Sequence, residues 1–329
     1  MTRSAKLYRY TLPMDSGVIL RSQKLSERVG FIVEIAEDNQ LGRGEVAPLS
    51  CFSIESTEEA GVQVQHQLEM WVRGGEFDYS DLFPSVAFGL SIAELELSGK
   101  LPQEGNYLTA PLCTGDPDSL APKLEKMGAK KVAKIKVGYH EPIRDGLLVN
   151  LFLDSIPDLK LRLDANRTWT LDQATEFAAQ ITPSLRQRIS YVEEPCAQPG
   201  DSVSFAINTG ISIAWDETIQ REITRKDFRI EDLLGVKTLV IKPTLIGSAQ
   251  DCISLIEKAR AQSIQTVISS TIESSFGLTQ LARFANWVLP DVVPGLDTVK
   301  FFECQLETPW PGCELPIVPL SEQEVMWRS

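Results

Sequence analysis

From about Tyr107 onward, apolar and polar positions keep one rhythm: short runs rich in Val, Ile and Leu alternate with longer segments whose apolar residues recur at helical spacing. The strand-like runs are LTAPL, VAKIKV, LKLRLD, ISYVEE, ISIAWD, VKTLVIK and IQTVISS, with a weaker one in DVVPGLD. Between them lie segments such as DPDSLAPKLEKMGA, EPIRDGLLVNLFLDSI, LDQATEFAAQI and GSAQDCISLIEKARAQS, each opening near a capping residue or a proline. Such βα repetition predicts a parallel sheet with crossover helices. Residues 1 to about 105 do not follow it. KLYRYTLPM, GVILRSQKL and VGFIVEIAE read as antiparallel strands, and helices are expected near 57–73 and 84–98. The tail 303–329 is proline-rich and reads as irregular. These patterns predict an α+β domain over 1–105, with 303–329 packed on it, and a βα domain over 106–302.

The ends of the strand-like runs carry the candidate chemistry. Lys136, Asp164, Glu193, Asp216, Lys242 and Ser269 follow one another at steps of 28, 29, 23, 26 and 27 residues. Each step is about what one strand, one helix and two short loops consume. In a closed β/α barrel the C-terminal strand ends meet at one mouth, where active sites of that fold lie. An open doubly wound sheet would spread the same ends along a line, and no G-x-G-x-x-G loop follows the first strand. GRGEVA at 42–47 approaches that fingerprint, but Pro48 blocks the helix that should follow.

Charge and composition narrow the classes. The 329 residues carry a formal net charge of -13. That balance excludes nucleic acid and anionic membranes as partners, since both demand a basic surface. Six cysteines without a C-x-x-C pair, and an N-terminus lacking the apolar core of a secretion signal, predict reduced thiols in a cytoplasmic protein. No apolar run reaches the roughly 18 to 20 residues of a membrane helix. Only His66 and His140 occur, so a Ser-His-Asp triad or a multi-histidine zinc site has little scope. The sequence sets no oligomeric state, and a monomer is compatible with it.

Asp164, Glu193 and Asp216 stand on three consecutive runs, and carboxylates aimed at one point repel unless something positive lies between them. A divalent ion answers this, and all-oxygen ligation favours Mg²⁺ before Mn²⁺. Taken singly, each acid is also compatible with a solvated strand end. In VAKIKV, Lys134 and Lys136 are two apart and share one face of the strand. A lysine serves as a base near neutral pH only when neighbouring cations disfavour its charged form, as Lys134 and an ion would do for Lys136. The alternative is that the lysines are salt-bridge partners of the acids. Ion, lysine base and the further cation Lys242 suit removal of a proton from the carbon beside a carboxylate, where the resulting enediolate needs preorganised positive charge.

The residues resemble the enolase superfamily, whose members pair a Lys or His base with Mg²⁺. The resemblance rests on K-x-K at 134–136, LDAN at 163–166, EEP at 193–195, DE at 216–217 and VIKP at 240–243. Within it the chain resembles the o-succinylbenzoate synthase family along nearly its whole length, through stretches such as GRGEVAPLSCFS, PSVAFGLS, APLCTGDPD and VISSTIESSFGLTQLARFANW. SCFS at 50–53 departs from the glycine that more often precedes the phenylalanine. The resemblance implies a modified TIM barrel (β/α)7β with an α+β capping domain. It implies a lyase that dehydrates 2-succinyl-6-hydroxy-2,4-cyclohexadiene-1-carboxylate to o-succinylbenzoate in menaquinone biosynthesis.

Carried over by residue, Asp164, Glu193 and Asp216 hold Mg²⁺, and Lys136 takes the α-proton and returns it to the departing hydroxyl on the same face. Lys242 is a fixed cation across the ring. Lys134, Arg162, Ser269, Ser270 and Gly295 bind a small-molecule carboxylate substrate, and the stretch 16–28 is a closing loop. Two other readings stay open: an N-acylamino acid racemase or dipeptide epimerase using Lys136 and Lys242 as two bases, and a non-catalytic barrel with a structural ion.

Overall fold

A computed structural model describes residues 2–15, 19–20, 23–113, 117–128, 130–225 and 227–329. The chain divides into two compact units, one of Met1–Thr109, Ile241–Ile256 and Ile268–Ser329, the other of Ala110–Val240 and Glu257–Val267.

In the first unit, period-two burial builds an antiparallel sheet. Its strands are β1 (Arg3–Pro13), β4 (Glu27–Glu37) and β5 (Gln40–Val46), with the short pair β2 (Ile19–Leu20) and β3 (Gln23–Lys24) between the first two. Phe31, Val33 and Ile35 of β4 and Ala5 and Leu7 of β1 pack on α1 (Thr57–Val72) and α2 (Pro84–Leu97). Tyr8, Tyr10, Leu12 and Ile32 leave the other face and pack on Ile272, Phe276, Phe302 and Leu306. Both faces are therefore covered, as odd and even residues of a strand point oppositely. Ser56 opens α1 with a capping box closed by Glu59, which gives the expected helix a defined start.

One local expectation changes here. GVILRSQKL is not one strand: its described residues form an antiparallel pair with Ile19 opposite Lys24. Residues 16–18 and 21–22 of the expected closing loop lie outside the described residues. GRGEVA is a strand, with Gly44 opposite Val33 and Gly42 opposite Ile35. Its glycines serve packing, because a Cβ on Gly44 would run into the Gly89 carbonyl of α2.

The second unit follows the βα rhythm, with β6 (Leu112–Cys113), α3 (Pro117–Glu125), β7 (Val132–Lys136), α4 (Pro142–Ser155), β8 (Lys160–Asp164) and α5 (Leu171–Ala179). It continues through β9 (Ile189–Glu193), α6 (Pro199–Thr209), β10 (Ile213–Trp215), α7 (Glu217–Glu222) and β11 (Thr238–Ile241). Next in the chain, α8 (Pro243–Ile246) and most of α9 (Ala249–Ala261) belong to the first unit, β12 (Gln265–Ile268) returns to the second, and α10 (Ser275–Val288) again belongs to the first. The seven strands β6 to β12 form one sheet in strict chain order. The pairs from β6 to β11 are parallel. The expected strand in LTAPL shrinks to Leu112–Cys113, since Pro111 lacks an amide to donate. DVVPGLD, with Pro294 before Gly295, supplies only one parallel bridge, Ser269 to Gly295.

The tail is more ordered than its prolines suggest. After β13 (Gln305–Leu306) and β14 (Ile317–Val318), the proline-free EVMWR forms β15 (Glu324–Arg328). It pairs antiparallel with β1, Lys6 opposite Arg328 and Leu7 opposite Trp327. Among the described residues no helix is long and apolar enough to cross a membrane.

Candidate active site

Parallel register sets the site in the second unit. Lys134 of β7 lies opposite Arg162 of β8, and Lys136 opposite Asp164. Asp164 lies opposite Glu193 of β9, and Glu193 opposite Ala214 of β10, two residues before Asp216. On β7 the buried Ala133 and Ile135 alternate with Lys134 and Lys136, so the sheet face that carries the lysines is the one away from Ala133 and Ile135. Asp164, Glu193 and Asp216 are all buried, as is Arg162.

Lys134 joins two of these acids. Its Nζ lies 2.9 Å from Asp164 Oδ2 and 2.8 Å from Glu193 Oε2. Burial works to lower the Lys134 pKa, but the charges of Asp164 and Glu193 outweigh it and hold the ammonium well above its ordinary value. The companion lysine is thus first a counter-ion of the acids. Lys136 donates to Asn166 Oδ1 at 2.9 Å and stands 3.7 Å from Asp164 Oδ2. Asp164 also accepts from the Asn166 amide at 3.1 Å, and Asp216 accepts from Gln220 Nε2 at 2.6 Å. The Arg162 guanidinium lies 5.9 Å from the centroid of Tyr191, whose phenol is pushed up to about 12 chiefly by burial.

Among the described residues, no three carboxylate, thiol or imidazole groups close into a cluster that grips an ion directly. Asp164 and Glu193 are drawn together on Lys134, while Asp216 stands on the next strand end. The donor set still suits a hard ion in kind: three buried carboxylates on neighbouring parallel strands, all offering oxygen.

The first unit holds the other expected site residues. Lys242 precedes Pro243 at the start of α8, and its Nζ lies 5.7 Å from the centroid of Phe52. Phe52 belongs to the SCFS stretch. Ser269, Ser270 and Gly295 come together: Ser269 Oγ donates to the Gly295 carbonyl at 3.1 Å, and the Ser270 amide donates to the same oxygen at 3.1 Å. A Cβ on Gly295 would stand 2.9 Å from Ser269 Oγ, so a side chain there would make that hydroxyl turn away. Ser270 Oγ pairs with Thr298 Oγ1 at 2.9 Å.

Sequence reasoning passed over Asn166, the partner of Lys136, although it ends the quoted LDAN. It also passed over Glu194, the second acid of EEP, which is fully buried beside Glu193. Two adjacent acids at a strand end were a signal that both have tasks.

Comparison with known proteins agrees along the chain. Residues 2–97 match the family described as MenC, N-terminal domain, and residues 120–304 the family described as Enolase C-terminal domain-like. An o-succinylbenzoate synthase of Vibrio cholerae serotype O1 is 59% identical over 327 residues, spanning 99% of this chain and 98% of its own. One from Aliivibrio fischeri is 53% identical, spanning 99% and 100%. Among solved structures, the o-succinylbenzoate synthase of Thermosynechococcus elongatus BP-1, complexed with Mg in the active site, superposes with a TM-score of 0.70 at 22% identity over 88% of this chain and 92% of that one. The L-Ala-D/L-Glu epimerase of Bacillus subtilis gives 0.71 at 20% identity over 92% and 91%. The fold is that of the enolase superfamily, a modified TIM barrel (β/α)7β with an α+β capping domain.

Proposed function

The chain belongs to the o-succinylbenzoate synthase family of the enolase superfamily, and from that premise we propose that it dehydrates 2-succinyl-6-hydroxy-2,4-cyclohexadiene-1-carboxylate to o-succinylbenzoate. It is then a carbon-oxygen lyase serving menaquinone biosynthesis. The observation that carries this reading is 59% identity to an enzyme of that name across 99% of the chain.

The residue roles follow from the side chains. Lys136 removes the proton from the carbon bearing the carboxylate, and Asn166 holds its amine by the 2.9 Å hydrogen bond. The electron pair of that C–H bond moves toward the carboxylate to give the enediolate, then returns to form the new ring double bond as the C–O bond breaks. Lys136 returns the proton to the departing hydroxyl on the same face, and water leaves. Lys242 is the fixed cation that meets the charge developing on the enediolate. Asp164, Glu193 and Asp216 would hold Mg²⁺, with Mn²⁺ as a substitute, and the ion would supply charge stabilisation to the substrate carboxylate. Lys134 keeps Asp164 and Glu193 charged and placed, and with Arg162, opposite it in register, it binds the substrate. Ser269, Ser270 and Gly295 receive the succinyl arm. The capping domain is assigned to 1–105 with 303–329, the barrel to 106–302, and work in the cytoplasm fits six free thiols.

The test is loss of the diene and gain of the aromatic product, followed by ultraviolet absorbance with Mg²⁺ and with EDTA. Turnover that stops in EDTA and returns with Mg²⁺ is expected. An inert diene overturns the activity, and undiminished turnover in EDTA overturns the ion. The racemase reading has only fold in its support, because the epimerase structures are at most 20% identical. Solvent-deuterium exchange at the α-carbon of N-succinylamino acids, lost in both Lys136→Ala and Lys242→Ala, would favour it.

A further inference from the structure

Beside the three acids lies a second set of polar groups that the proposed reaction does not use. Glu194 is 1% exposed and its carboxylate accepts four hydrogen bonds. Oε1 accepts from the backbone amides of Asp216 at 3.0 Å and Thr218 at 2.7 Å. Oε2 accepts from the Thr218 hydroxyl at 2.9 Å and from Arg167 Nε at 2.9 Å. Arg167 Nη2 then donates to Thr218 Oγ1 at 2.7 Å, and the Arg167 amide donates to the Glu194 carbonyl at 2.7 Å. Every lone-pair direction of the carboxylate is filled.

Each anchor sits just past an acid: Arg167 three residues after Asp164, Glu194 one after Glu193, and Thr218 two after Asp216. One amide that Glu194 holds belongs to Asp216 itself. The chain also accepts unfavourable backbone to make the arrangement, with φ of 61° at Arg167 and 43° at Glu194. Left-handed conformations cost non-glycine residues about 1 kcal/mol or more each. A surface ion pair would not need this, since its side chains could meet from ordinary backbone.

We infer that Glu194, assisted by Arg167 and Thr218, is a positioning residue for the ion site: it ties the ends of β8, β9 and β10 together and sets where Asp216 stands relative to Glu193. This rests on the ligand assignment proposed above. Groups that orient ligands in this way typically govern about 10- to 100-fold in metal affinity.

The test is Mn²⁺ binding to the purified, substrate-free full chain, read from the electron paramagnetic resonance of the free ion well below the unfolding temperature. Glu194→Gln keeps the volume but replaces an acceptor oxygen by an amide nitrogen. It is expected to weaken Mn²⁺ binding about 10- to 100-fold and to raise the Mg²⁺ concentration for half-maximal turnover by the same factor. The KM for the diene at saturating Mg²⁺ should stay unchanged. Asp216→Asn is measured alongside. If it weakens Mn²⁺ and Glu194→Gln does not, the positioning role is overturned while the ligand assignment stands; if neither weakens it, the ligand assignment itself is wrong. Should Glu194→Gln fail to fold, Thr218→Val decides: about 10-fold weaker binding supports the inference, and wild-type affinity overturns it.

Discussion

Lys134 and Glu193 stand 59 residues apart in the chain, yet the lysine ammonium lies 2.8 Å from Glu193 Oε2. The same nitrogen lies 2.9 Å from Asp164 Oδ2, so one cation spans two strand ends. A charge in that place cannot be removed without leaving two buried carboxylates facing each other.

Lys134→Met, measured in EDTA so that no ion substitutes for the ammonium, is expected to lose about 3 kcal/mol of stability at pH 7. The folded-state pKa is raised above the ordinary 10.5. Stabilisation from this group is therefore complete below that value and fades only as pH climbs through the higher one. Urea unfolding should show the same gap between wild type and variant from pH 7 to about pH 9; a gap that closes within that window contradicts the ion-pair account.

Lys136→Ala is expected to lower kcat at least about 1000-fold, the upper part of the range for a positioned proton-transfer group. Its cost in stability should be within about 1 kcal/mol, since the side chain is partly exposed. Diene absorbance and thermal melts measure the two effects. Residual turnover within tenfold of wild type would remove Lys136 from its role.

Glu273 lies in the first unit among buried polar groups. Burial and the charge of Glu45 push its carboxyl up to about 7, against hydrogen bonds from Thr244 and Thr271. The folded state thus keeps a proton that the unfolded chain has released. Stability from this group is greatest below about pH 4.5, falls as pH rises to about 7, and is then flat, a total near 3 kcal/mol. Glu273→Gln should flatten that slope and raise the melting temperature at pH 8. The amide can still accept from the Thr271 N–H, while its NH₂ donates to Thr244 Oγ1, which itself donates to Thr271 Oγ1 at 2.8 Å. An unchanged pH slope would show that Glu273 is already ionised at pH 5.

Gly44→Ala should destabilise by about 1 to 3 kcal/mol, the usual effect of overpacking. The new Cβ would meet the Gly89 carbonyl, and backbone must move to admit it. Gly74→Ala is the contrast: there a Cβ meets nothing within 4 Å, and only its φ of 93° opposes the change. Thermal unfolding that places Gly44→Ala at wild-type stability would refute the close β5–α2 packing.

Much of the second unit was legible because its signal is local. Val132 to Lys136 and Lys160 to Asp164 alternate apolar and polar residues over single strands, and Thr170 with Gln173 caps α5 within one turn. The first unit was read less well. The strand Gln40–Val46 was hidden by Gly42 and Gly44, which weaken strand propensity but are required by α2. The closing strand Glu324–Arg328 was hidden among prolines, since its partner β1 lies at the other end of the chain.

By itself the sequence determined the alternation of strands and helices in the second unit, and the residues that carry charge at each strand end, because period and capping are properties of neighbouring residues. Tertiary structure alone decided which of those charges meet. Lys134 becomes the counter-ion of Asp164 and Glu193, and Glu194 receives the amides of Asp216 and Thr218, through parallel register and left-handed turns that no local pattern records. Coulomb energy and hydrogen bonding depend on ångström distances between strands, and only the folded sheet sets those distances.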